Sequence, residues 1–145
     1  MPVLAVVLAP RVSRLVRMDG DIDAIRKVLQ DYENALDDLA GYLADLRYEI
    51  PTTFTEAWDW ILEKGWDDFY WSMQQIIVDA SDTLFEVRAV EFDFVEWLQT
   101  ISPMSQEMGD AVGADIGAIG ELIGNLEALA PEIMEEALFV IAIVF

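Results

Sequence analysis

Neither cysteine nor histidine occurs in the 145 residues, and only two lysines do, Lys27 and Lys64. Without cysteine there is no disulfide framework and no thiolate for metal or redox chemistry. Without histidine the chain lacks the commonest general base and the commonest transition-metal ligand. Ser13, Ser72, Ser81, Ser102 and Ser105 therefore have no imidazole to activate them. The glycines form neither a GK[ST] nor a GxGxxG loop. The acidic doublets Asp37-Asp38, Asp67-Asp68 and Glu135-Glu136 diverge by about 100° if helical, so none is by itself an acid/base dyad. A carboxylate-bridged di-metal bundle wants Glu-x-x-His, which cannot be written here. The run Asp19-Gly20-Asp21-Ile22-Asp23 opens like a calcium loop, but Ala24 stands where glycine is required and Gln30 where the closing glutamate belongs. It reads instead as the start of a helix, with Asp19 or Asp21 as cap. A non-enzymatic protein is expected, with no catalytic residue, no metal ligand and no cofactor.

Charge of one sign is also scarce. Eight Lys and Arg face 28 Asp and Glu, for a formal net charge of −20. That field repels nucleic acid, which is excluded as a partner, and it strains the compact state by self-repulsion. Concentrated salt screens such repulsion, so abundant Asp and scarce Lys suggest a halophilic, high-salt source. Against this acidity 54% of the residues are apolar and mean hydropathy is +0.30. Apolar surface in that excess has to be covered, by other subunits or by lipid.

The stretch from Ile22 to Ile50 organises the chain. Ile22, Ile25, Leu29, Tyr32, Leu36, Leu39, Leu43, Leu46 and Ile50 alternate spacings of three and four. This is a heptad seam, broadened by Val28, Ala35 and Tyr42, and it predicts a long helix over 18–50 in a bundle of three or more. Pro51 ends it, and Thr53 with Glu56 fits the capping box of a following helix. Residues 54–101 form an aromatic helical region. There Trp58, Leu62, Trp66, Phe69, Met73 and Ile76 share one face, while Trp60 and Trp71 point elsewhere and suggest an interface. Asp79–Asp82 reads either as a break or as continuous helix. Residues 84–97 suit a helix better than a strand, and Ser102-Pro103-Met104-Ser105 reads as a loop.

A last helix is predicted over 109–136, with Val112, Ile116, Ile119, Ile123, Leu126, Ala130 and Ile133 on heptad spacing. Beside them run Gly109, Gly113, Gly117, Gly120 and Gly124. Each interior glycine costs up to about 1 kcal/mol of helix propensity, so the row calls for a compensating close helix contact. After Pro131 and an acidic turn, Ala137 to Phe145 is a nine-residue apolar arm, too short to span a bilayer as a helix. Phe139, Ile141 and Phe145 would be its gripping residues. At the other end residues 1–17 form an apolar arm with three Arg and no acid. Arg11, Arg14 and Arg17 there would dock on acidic surface, of a neighbouring subunit or of the chain itself. The apolar run precedes its charges, a poor match to a secretion signal, and localisation is left open.

These patterns predict a single all-α domain: an elongated bundle of three or four long helices with apolar terminal arms. They also predict a structural or assembly protein that self-associates into a homo-oligomer or larger lattice, as a virion, tail or filament component does. The expected interface comprises the seam from Ile22 to Leu46, Trp60, Trp71, Gly113, Gly117, Gly120, Gly124 and the C-terminal arm. Two other readings are a membrane-associated helical protein, and an adaptor whose seam binds another protein's helix.

Overall fold

The structure, a computed structural model, describes residues 22–101 and 106–145. They form four helices: α1 (Ile22–Tyr48), α2 (Phe54–Lys64), α3 (Trp66–Thr100) and α4 (Gln106–Val144). The chain is an all-α bundle, with no strand among the described residues. Helices α1, α3 and α4 pack against one another, and the short α2 lies against α3 and α4.

Helix α1 follows from its seam. Asp23 in the first turn and Arg47 in the last complement the helix dipole. Ile25, Leu29, Tyr32, Leu36, Leu39, Leu43 and Leu46 are all buried, and Ile22 is half-buried. Leu36, Leu39 and Leu43 are wholly excluded from solvent, and each such side chain contributes about 1.5–3 kcal/mol of burial. Their partners are α3 and α4 of the same chain. The seam is therefore spent inside the bundle, which corrects the expectation that it forms an interface with another molecule.

Thr53 caps α2, its Oγ1 accepting from the Glu56 amide at 3.1 Å. The Glu56 carboxylate reaches one residue further back than the ideal box, accepting from the Thr52 amide and hydroxyl at 2.9 Å each. Gly65 then separates α2 from α3 with φ +95° and ψ 159°, a conformation that a residue with a Cβ rarely adopts. Its amide closes the end of α2 on the Ile61 carbonyl at 2.8 Å. The swing at Gly65 rearranges the aromatic face expected to run through both helices. Trp58 and Leu62 are exposed. Trp60 instead turns inward, edge-on to Phe69 at 5.9 Å, and donates from Nε1 to Asp68 at 2.7 Å.

Helix α3 runs unbroken through Asp79–Asp82, and Thr83 Oγ1 donates back to the Asp79 carbonyl at 2.7 Å. Residues 84–97 are helical, as their spacing predicts. Helix α4 runs through Pro131 and continues past the expected end at residue 136. Proline leaves the carbonyl four residues earlier without its helical donor, yet the buried stripe proceeds without a step from Ile123, Leu126 and Ala130 to Ile133, Ala137 and Val140. Burial of those residues holds the last turns helical. The apolar end is thus the tail of α4 and not a separate arm.

Candidate interaction surface

Helix α3 is apolar on two opposite sides. Phe69, Met73, Ile76, Ala80, Leu84, Val87, Val90, Phe94 and Trp97 face the core. On the far side Trp71, Val78, Phe85 and Phe92 stand out to solvent, 67%, 49%, 75% and 68% exposed. They are spaced seven residues apart throughout. A straight helix drifts by about 20° per heptad, so a strict seven-residue row is the track followed by a supercoiling partner helix. From Trp71 to Phe92 the row is about 32 Å long at 1.5 Å per residue. Ser81, Asp82 and Arg88 border it, giving an apolar centre with a polar rim. Trp71 was singled out by sequence reasoning, but Val78, Phe85 and Phe92 were not. The seven-residue interval connecting them is visible in the sequence once the buried face of α3 is known.

The glycine row of α4 lies beside the α3 contact. Glu127, seven residues after Gly120, lies beside Glu91 of α3. The neighbouring Glu127 carboxylate, with burial, pushes the Glu91 carboxyl above its ordinary range. Gly113, Gly117, Gly120 and Gly124 are exposed, and a Cβ built at any of them, or at Gly109, meets nothing within 4 Å. No helix of the bundle approaches these glycines, so the close contact expected of the row is not made inside the described chain. What remains is a smooth, small-residue strip facing solvent, continued by Ala114, Ala118 and Ala128.

The tail of α4 is mixed. Phe139 is 64% exposed and Ile141 packs on the core. Phe145, itself 90% exposed, sets its ring edge-on to Trp66 at 5.6 Å. Between this tail and the end of α1 opens a cleft of about 750 Å³, lined by Ile50, Pro51, Phe139, Val140 and Ile143 and by charged side chains. Arg47 crosses its edge to Glu136 at 2.6 Å and to Glu132 at 3.9 Å, while Glu135 completes the acidic rim. At the other end of α1, Arg26 donates to the Ala111 carbonyl at 3.0 Å. Arg11, Arg14 and Arg17 lie outside the described residues, as do Asp19, Asp21 and the 102–105 loop.

Among the described residues no group of three or more potential ligands could hold a metal ion, and no helix is long and apolar enough to cross a membrane. Compared with known protein families, curated proteins and solved structures, the chain matches none of them.

Proposed function

We propose that the protein is a non-enzymatic structural component that self-associates, as a homo-oligomer or a larger lattice, through the outer face of α3. The observation that supports this reading is the solvent-facing row Trp71, Val78, Phe85 and Phe92. Large aromatics at heptad spacing gain little in water and much against a second helix. The smooth glycine strip of α4 leaves room for a second backbone to approach closely. Net charge opposes association of identical copies, with a screening length near 10 Å at 0.1 M salt and about 3 Å at 1 M.

Light scattering of the purified protein without detergent, at low and at multimolar salt, tests this reading. A regular multiple of 16.4 kDa that grows with salt is expected. A stable monomer at both salts would overturn it and leave α3 as a surface for another protein's helix.

A further inference from the structure

We infer that the outer row of α3 meets the same row of a second copy antiparallel, about a two-fold axis at Phe85. This rests on the self-association reading and fixes the direction and register of the contact. Phe85 lies seven residues from both Val78 and Phe92, so the row is symmetric in sequence about it. Under that axis Phe85 faces Phe85 of the other copy, and Val78 of each copy comes level with Phe92 of the other.

Charge decides the direction and the register. Arg88 is the one basic residue of α3. It is exposed three residues after Phe85, and Asp82 is exposed three residues before it. At 3.6 residues per turn the two stand on opposite flanks of the row, each about 4.5 Å along the helix from Phe85. Among the described residues the ion pairs belong to Arg47, so Asp82 and Arg88 both have charge to offer a partner. In the antiparallel pair Asp82 of each copy comes level with Arg88 of the other, which gives two contacts of opposite charge. A parallel pair in register instead sets Asp82 level with Asp82 and Arg88 level with Arg88. An antiparallel pair with its axis between Ser81 and Asp82 brings the two Asp82 carboxylates together. In a chain of net charge −20 both alternatives add repulsion where the copies touch. The arrangement centred on Phe85 is self-complementary and closes as a dimer.

Because the chain has no cysteine of its own, one nitroxide label can be placed on the full-length protein. Gln99→Cys carries it, exposed near the end of α3 and fourteen residues after Phe85, and double electron–electron resonance reads the separation between copies. A separation of about 42 Å is expected, twice the rise from Phe85 to residue 99. A parallel pair would give less than about 20 Å, set by the interaxial distance and the label arms, and the shifted antiparallel register about 52 Å. Either value, or associated protein with no defined separation, overturns the inference while self-association stands. Charge exchange tests the same contact at the lowest salt that keeps the parent associated. Asp82→Arg and Arg88→Glu shift net charge in opposite directions, yet each should weaken association about fivefold or more by setting like charges level. The exchanged chain Asp82→Arg/Arg88→Asp should recover parental association. Single variants that associate as the parent does overturn the pairing. A parent that is monomeric at every salt overturns the self-association reading itself.

Discussion

Glu91 of α3 and Glu127 of α4 approach each other across the helix contact, and the Glu127 carboxylate, with burial, raises the Glu91 carboxyl above its ordinary range. Two carboxyl groups this close hold one proton better than none. Burial also raises Glu86 and Asp93, on the same helix, above their ordinary values. A carboxyl whose folded pKa exceeds its unfolded one stabilises the fold below the unfolded value and loses that contribution as pH rises through the folded one. The bundle should therefore melt at higher temperature as pH falls from 7.5 toward 5. Glu56 runs the other way: its bonds to Thr52 hold its carboxyl below the usual range, and its cap weakens only on stronger acidification. Thermal melts across pH read the sign directly. Glu91→Gln, whose amide donates without charge, should raise stability at pH 7.5 by about 0.5 kcal/mol, the scale of a screened exposed pair, and flatten the pH dependence.

Glycine substitutions should split by position. At Gly117 and Gly120 the helical backbone is ordinary and the space beside each is open. Alanine there should stabilise the isolated chain by about 0.5–1 kcal/mol per site. Gly65 also has open space, but its φ of +95° forbids a side chain on backbone grounds. Gly65→Ala should cost about 1–3 kcal/mol and loosen the joint between α2 and α3. Chemical denaturation at low protein concentration distinguishes the two signs. If Gly117→Ala and Gly120→Ala also weaken association while stabilising the monomer, the strip belongs to the interface.

The helices were largely legible in the sequence because their apolar periodicities are long. Ile22 to Ile50 and Val112 to Ile133 each repeat through several turns, and both stripes are buried as their spacing predicts except at Ile22 and Ile116, which are half-buried. The partner of the α1 seam was not legible. A heptad row carries the same letters whether it packs on its own chain or on another. The arm expected over 137–145 misled for a related reason, since an uncharged apolar run reads alike as a separate arm or as the end of a helix, and burial of Ala137 and Val140 continues α4 through it. The second face of α3 was hidden behind the first: in a helix this rich in apolar residues, only the buried set reveals which ones are left over.

Tyr32 tests how the centre of the bundle is held. Its ring is wholly buried, edge-on to Phe94 at 5.4 Å and tilted against Trp97 at 6.1 Å. Its hydroxyl and the Trp97 Nε1 are both buried without a hydrogen-bond partner among the described residues. Burial, with Asp93 and Glu96 nearby, pushes the phenol far above its ordinary value, so it stays protonated. A buried polar group left unpaired costs about 1–3 kcal/mol. Tyr32→Phe keeps the ring contacts and removes that cost, and should leave stability unchanged or improved. Tyr32→Ala should lose about 3–5 kcal/mol to the cavity. Melting of the two variants side by side separates ring packing from the hydroxyl.

Phe85 is the substitution that reads the outer face of α3 most cleanly. It is 75% exposed and lies midway along the row, seven residues from both Val78 and Phe92. Replacing it touches no core residue, so the monomer should change by less than about 0.5 kcal/mol. At the centre of a helix–helix contact, the same change removes a large apolar side chain from the most desolvated position, where truncation costs about 2 kcal/mol or more. Phe85→Ser should weaken association at least thirtyfold, the factor equivalent to about 2 kcal/mol, with the melting temperature of the dilute protein unchanged. Trp58→Ser is the control, since Trp58 is also exposed but lies on α2 and is not part of the row. Equal loss with both variants would mean that aromatic surface acts unspecifically. Loss with Phe85→Ser alone assigns association to the heptad track of α3.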